Sequence, residues 1–265
     1  MATYFEARIA GEEPGYAAQA AQAALDLLDK LEAHLSRFRP NSALAQIAAL
    51  MPGESMRLSE PVFACLAIAK RMEAATRGAF SATAAALQSQ TAPPQWTLMP
   101  EDRSIRNESG RLAFDLGAIG KGFALDRMGE LLREWGCCSF LLVAGGSSIL
   151  AGDSPRDTAG WSCGLGDGHA VQRLWLQQAS LSGSGLAVKG AHILDPRTGR
   201  PAPRQNRAWA LADTAAESDA LSTASMVLTE PALQEVLAPE PSWLVFLETG
   251  DTARALGHRP LPPQG

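Results

Sequence analysis

The chain has 265 residues, 46% hydrophobic and 19% charged, with a formal net charge of −5, which excludes a disordered or fibrous chain and describes a folded protein able to bury a substantial core. The negative balance, with no Lys/Arg cluster to offset it locally, excludes a general nucleic-acid binder. Cys65, Cys137, Cys138 and Cys163 show no CxxC spacing and read as small buried side chains in a reducing compartment, and no stretch nears the roughly 18 apolar residues of a membrane span.

Residues 3 to 10 alternate like a strand and lack the basic start and apolar run of a signal peptide. The chain as it stands is therefore expected in the cytoplasm, and an export segment ahead of it would make it periplasmic. Ala17, Ala21, Ala24, Leu28, Leu31 and Leu35 recur at steps of three and four, on one face of a long helix that Pro40 stops. A shorter helix follows with Asn41 or Ser42 as its cap, and a third runs from about 59 to 77 and ends at Gly78. Gln88 to Pro100 reads as a surface loop, and "RSIRNESGRLAFDL" as a hairpin turned at NESG. Leu125, Met128, Leu132 and Trp135 mark an amphipathic helix, and "SFLLVAGGSSIL" a buried strand meeting a glycine loop. Beyond it come short strands at "WSCGLG", "VQRLWLQ", "QASLSGSG", "RAWALAD" and "SWLVFLE", interrupted by a helix from Ser218 to about Thr229. This order gives an α+β fold whose two lobes share one sheet system, so that residues 1–265 form one domain.

Four stretches carry candidate chemistry. "DLGAIGKGFALD" is neither a Walker loop, since Gly122 follows Lys121 where a hydroxyl belongs, nor a dinucleotide fingerprint, since Gly117, Gly120 and Gly122 are spaced GxxGxG. It is either an anion cradle at a helix start or an ordinary tight turn. In "ESDALSTASMVL", Asp219 and Thr223 lie four apart on a helix, which suits Mg²⁺ and equally a first-turn acid beside a hydroxyl bonded back to its helix. The turn "DPRTG" gathers His192, Asp195 and Arg197, where the histidine is either a general base or a structural donor and the arginine can pair with phosphate. "SLSGSG" offers hydroxyls and N–H groups to a phosphate or flavin, or is a plain loop. A GxSxG elbow is missing, so an esterase serine has no support.

Taken in order, these stretches resemble the ApbE family, the FAD:protein FMN transferases. "MATYFEARI" is similar to that family's M-G-T strand, and "LEAHLSRFRPNSALAQI" to its F-S-x-[FY]-R-x-x-S-x-[IL] segment. "DLGAIGKGFALD" resembles D-L-G-[GA]-I-[AG]-K-G-[YF]-A-x-D, "LVAGG" the strand and G-G turn, and "SGSG" the T-S-G block. "HILDPRTGRP" resembles H-I-[IL]-D-P-x-T-G-x-P and "SDALSTA" A-D-A-L-[SA]-T-A, so that the likeness spans roughly residues 1 to 248. The resemblance implies a fold of mixed, largely antiparallel sheets flanked by helices. It implies a Mg²⁺-dependent reaction in which a Ser/Thr hydroxyl of an acceptor flavoprotein attacks the FMN-side phosphorus of FAD and AMP leaves.

By motif position, a carbonyl at Ala118 joins Asp219 and Thr223 around the metal. His192 is the general base or substrate orienter, and Gly117, Lys121, Gly145, Gly146, Ser184, Gly185, Asp195 and Arg197 lie along FAD. For Lys121, meeting phosphate and capping its own turn are both open. The chain departs from the pattern at Ser147, where an aspartate or asparagine is usual after the glycine pair, and at Ser81, where an aspartate is common. The loop carrying "TAPPQW" is also shorter than in many members. Two other functions fit the same residues: an FAD pyrophosphatase, in which water replaces the acceptor, and a flavin-binding protein without turnover.

Overall fold

The computed structural model describes residues 3–84, 86, 92–166, 172–185, 193–202, 206–250 and 252–264. In chain order the first half contains β1 (Phe5–Ile9), α1 (Pro14–Leu35), α2 (Ala43–Ile47), β2 (Ser55–Arg57), α3 (Glu60–Ala75), β3 (Gln95–Met99), β4 (Ser104–Ser109) and α4 (Gly120–Glu134). The second half contains β5 (Phe140–Ala144), β6 (Ser148–Ala151), β7 (Trp161–Leu165), β8 (Gln172–Leu176), β9 (Ala179–Ser184) and β10 (Ala208–Ala212). It closes with α5 (Ala215–Val227), α6 (Glu230–Leu237), β11 (Leu244–Thr249) and β12 (Thr252–Gly257).

A seven-stranded sheet of order β1-β5-β6-β9-β10-β11-β12 is antiparallel at every pairing. Its strands β5, β10 and β11 read as nearly continuous apolar runs because both of their faces are covered. On one face Phe140, Leu142 and Ala144 pack with Ala20, Ala24, Leu125, Met128 and Leu132 of α1 and α4. On the other, Leu141, Leu181, Leu211 and Phe246 pack with Cys163, Leu165, Leu174 and Leu176 of the β7-β8 hairpin. The small sheet β2-β4-β3 contributes Trp96 and Ile105 to the largest cluster, which also takes in α3, α5, α6 and the remaining sheet residues.

The α+β expectation with antiparallel sheets holds, and several local readings are corrected. On α1 the fully buried positions are Ala20, Ala24, Leu31 and Leu35, with Ala20 in the place expected of Ala21. Ser42 caps α2, accepting from the Ala45 N–H at 3.1 Å. Residues 95–99, read as loop, form β3, because Trp96 buries its ring edge-on against Phe114. The hairpin is β3-β4, joined through Arg103 at φ 55; after NESG the chain runs on without pairing as a strand. β6 follows the glycine pair, so the apolar run folds back as a hairpin. Cys65, Cys137 and Cys163 are buried but Cys138 is exposed, and burial pushes the Cys65 and Cys163 thiols up to about 12. Among the described residues no helix is long and apolar enough to cross a membrane.

α5 starts at Ala215, three residues before the expected Ser218, capped by the Thr214 hydroxyl, which accepts from the Glu217 N–H at 3.3 Å. It is buried on nearly every side, so its sequence lacks a polar stripe and uses small residues instead. Where it meets β9, hydroxyls interlock: the Ser218 Oγ lies 2.8 Å from Ser180 Oγ and 2.9 Å from Ser182 Oγ. Removing that hydroxyl deprives the buried Ser182 of this partner. Ser218→Ala is expected to lower stability by about 1–3 kcal/mol, measured by urea denaturation against the unaltered protein.

Candidate active site

The glycine-rich turn is held from both sides before it becomes α4. The Asp115 carboxylate accepts the Gly117 N–H at 2.9 Å and pairs with Arg37 at 3.3 Å, while the Asp115 N–H donates to the Ala82 carbonyl at 2.7 Å. The N-cap residue of α4, Ile119, has no side chain that can cap, so the first donors of the helix need partners from elsewhere. One is taken in trans: the Gly122 N–H donates to Asp219 Oδ2 at 3.2 Å. The reverse also holds. Asp126 of α4 accepts the first N–H groups of α5, Ala215 at 2.7 Å and Ala216 at 2.8 Å. Each helix thus supplies the carboxylate that caps the other, and the two approach where only glycine fits. A Cβ on Gly122 would lie 2.0 Å from the Ala215 carbonyl oxygen.

Asp219 is the centre of the site. It is 2% exposed and lies a full turn inside α5, so the first-turn reading does not apply; Glu217 is the first-turn acid. The Lys121 Nζ lies 2.9 Å from Oδ1 and 3.2 Å from Oδ2, and the Ser148 hydroxyl donates to Oδ1 at 3.2 Å. Lys121 neither caps its own turn closely, with the Gly117 carbonyl 3.5 Å away, nor stands free. One turn on, the Thr223 hydroxyl donates to the Asp219 carbonyl at 3.3 Å, and Ser184 Oγ lies 3.3 Å from Thr223 Oγ1 and 2.8 Å from Ser222 Oγ. Among the described residues no group of three or more His, Cys, Asp and Glu converges as a metal cluster. A cation here would meet one carboxylate plus hydroxyl and carbonyl oxygens, a hard donor set that suits Mg²⁺.

The glycine pair adjoins this centre through β6. Gly145 and Gly146 adopt φ 59 and 66, and a Cβ on Gly145 would fall 2.3 Å from the Thr3 hydroxyl, so the segment just before β1 seals the turn. The Gly183 N–H donates to the Ser147 carbonyl at 2.7 Å, which ties this turn to the SGSG strand, while Gly185 lies against the Arg207 stem. Ser81, at the other departure from the family pattern, accepts the Thr83 N–H at 3.2 Å and so supports the segment that holds Asp115.

Asp195 and Arg197 form a separate unit. Arg197 donates its backbone N–H and Nε to Asp195 Oδ1 and Nη2 to Oδ2, all at 2.9 Å. Burial opposes ionisation of the Asp195 carboxyl, but the Arg197 contacts outweigh it and hold the group below its usual range. Gly199, at φ 68, closes the turn onto the Asp195 carbonyl, and the Arg197 stem rests on Gly78 at the end of α3. Among the described residues this pair makes no hydrogen bond to the Asp219 cluster. His192 lies outside the described residues. Ala118 sits in the turn and packs against the main core.

Sequence reasoning missed Ser148 and Asp126. Asp126 follows Gly122 by four, and an acid one turn from a glycine on an otherwise apolar helix face is the signal that could have exposed it. Burial drives its carboxyl from the ordinary 3.8 up to about 7, helped by Glu130 and Glu217 and opposed by the two N–H groups.

Comparison with known proteins gives a consistent picture. The ApbE family profile matches residues 1–246. A protein of Klebsiella pneumoniae (strain 342) named FAD:protein FMN transferase is 25% identical over 260 residues, covering 82% of this chain and 72% of its own. One of the same name from Escherichia coli (strain K12) is 22% identical over 280 residues, covering 91% and 80%. Among solved structures, the flavin transferase ApbE from Vibrio cholerae superposes with TM-score 0.80 at 20% identity, over 96% of this chain and 93% of that one. The apo Pseudomonas stutzeri flavinyl transferase ApbE gives 0.77 at 19%, over 96% and 94%.

The helix contact yields two expectations. Gly122→Ala forces the α4 and α5 backbones apart and is expected to cost about 3 kcal/mol in chemical denaturation. For Asp126, the folded protein keeps its proton up to about 7 while the unfolded chain gives it up near 3.8. The folded state then binds more protons in that interval, so this group's contribution to stability falls as pH rises through it. The stability of the unaltered protein relative to Asp126→Asn, followed by urea titration across that range, is expected to decline toward neutral pH.

Proposed function

Because the chain belongs to the ApbE family, we propose that it is an FAD:protein FMN transferase, moving FMN from FAD to a Ser or Thr hydroxyl of an acceptor flavoprotein with release of AMP. The observation that carries this reading is the convergence of the 117–122 turn, Ser148, Ser184 and the Asp219–Thr223 turn of α5 around one buried carboxylate. Four segments scattered over a hundred residues meet where the motifs place FAD and metal.

Mg²⁺, held by Asp219, Thr223 and the Ala118 carbonyl, would neutralise nonbridging phosphate oxygens, which is most of what phosphoryl-type transfer asks of a protein. The chain's own residues do the rest. The Gly117 N–H is held by Asp115, so the turn meets the anion by close approach of its backbone, with no Cβ on Gly117 to hold it off. The Ser184 hydroxyl orients the same region, with Gly145, Gly146 and Gly185 allowing close approach of the flavin side. Arg197, its fork engaged by Asp195, presents a shaped and charge-balanced wall. His192, assigned by motif position, takes the proton from the acceptor hydroxyl as its oxygen bonds to the FMN-side phosphorus and the bridging P–O bond to AMP breaks.

The test is incubation with FAD, Mg²⁺ and a candidate acceptor, with mass analysis of AMP and flavinylated protein. Asp219→Asn keeps the shape but halves the oxygen set and turns an amide NH2 toward donors that the carboxylate accepted. It is expected to stay folded with lowered thermal stability, checked by circular dichroism, and to reduce AMP release by about 100-fold or more. Undiminished turnover in that variant overturns the assignment. AMP release with no covalently fixed flavin at any acceptor tested makes water the acceptor instead.

A further inference from the structure

We propose that Lys121 is an internal counter-ion that occupies the cation position beside Asp219, and that a divalent metal enters by displacing its ammonium group toward the bound diphosphate. This rests on the transferase reading and adds to it a coupling between metal and nucleotide. The ammonium stands 2.9 and 3.2 Å from the two Asp219 oxygens and 3.5 Å from the Gly117 carbonyl. It therefore sits among oxygens of the turn and helix that would receive a metal.

The remaining acceptor capacity of Asp219 is already used. A carboxylate offers about four lone-pair sites, and here Lys121 takes two contacts, the Gly122 N–H one and the Ser148 hydroxyl one. A metal bound to Asp219 must remove one of these donors. Gly122 is backbone in a helix packed so closely on α5 that an added Cβ would lie 2.0 Å from the Ala215 carbonyl oxygen, and Ser148 is fixed in the sheet. Lys121 alone of the three reaches Asp219 through a flexible four-carbon stem. It is also the most open to solvent, at 22% against 3% for the Asp219 side chain.

Displacement alone is unfavourable, because it separates an ammonium from a buried carboxylate and leaves like charges close together. A diphosphate reverses that balance by giving the ammonium a new anionic partner. Metal and FAD are then expected to bind cooperatively, each strengthening the other by the same factor. In the absence of nucleotide, Lys121 holds the site against weakly bound divalent ions.

Mn²⁺ serves as the probe, followed by electron paramagnetic resonance of the free ion in nucleotide-free protein. Lys121→Met removes the competing charge and is expected to bind Mn²⁺ about tenfold or more tightly than the unaltered protein, whereas Lys121→Arg binds it no more tightly. Adding Asp219→Asn to Lys121→Met is expected to abolish the gain. Equal or weaker Mn²⁺ binding by Lys121→Met overturns the proposal. A measurement on the unaltered protein covers the case in which that variant does not fold: the ¹⁵N resonance of the Lys121 ammonium is expected to shift when Mg²⁺ and FAD are added together, and an unmoved resonance also overturns it. Either failure, with AMP release still dependent on Asp219, leaves the transferase reading standing. Loss of that dependence removes the transferase reading itself.

Discussion

The contact on which the site depends is the mutual capping of α4 and α5. Helix starts leave N–H groups without partners, and here each set is met by an aspartate of the opposite helix, Asp219 for Gly122 and Asp126 for Ala215 and Ala216. Such an arrangement couples position to electrostatics. The carboxylate that fixes α4 against α5 is also the centre of the candidate cation site, so the helices cannot slide without moving the ligand they share. Gly122 sets the distance, since any side chain there would meet the Ala215 carbonyl. The glycine-rich turn that looks like a phosphate loop therefore has a duty toward a neighbouring helix, beside the ligand role proposed for it.

Packing a polar helix into the centre of the molecule needs a reason, and the hydroxyl face of α5 supplies it. Ser218, Ser222 and Thr223 meet Ser180, Ser182 and Ser184 of β9, and short side chains let helix and sheet come close while every oxygen keeps a partner. A larger apolar helix would push Asp219 away from the 117–122 turn. The serine-rich interface is thus a spacer whose thickness places the carboxylate.

Much of this was legible from residues alone, for identifiable reasons. Long apolar runs such as "FLLVA" and "LVFLE" announce strands whatever they pair with, and the spacing in α1 announces a helix. The pairing partners were not legible. Trp96 lies in a Pro-rich stretch that reads as loop, and its strand forms because tertiary burial of the ring outweighs the local signal. NESG reads as a hairpin turn, yet the strand before it pairs backward in sequence with β3 and β2. In the site, residue types at motif spacing identified Asp219, Thr223 and Lys121 but not their mutual contact. A helix-start acid and a buried acid look alike until the cap is located, and Thr214-x-x-Glu217 was the cap signature that marks the earlier start.

The charge count at Asp219 is why the metal site proposed there calls for a nucleotide beside it. One carboxylate, balanced by one ammonium and surrounded by hydroxyls and carbonyls, is close to neutral, and a neutral oxygen cage binds Mg²⁺ poorly because the ion gives up its waters reluctantly. The missing negative charge must come with the ligand, and a diphosphate brings it. Neither departure from the family pattern alters that balance. Ser81 supports the turn that holds Asp115 through neutral hydrogen bonds, and Ser147 contributes its carbonyl to Gly183. Neither Ser81 nor Ser147 is among the hydrogen-bond partners of the Asp219 carboxylate, so the electrostatic logic of the centre is carried by Asp219 and Lys121.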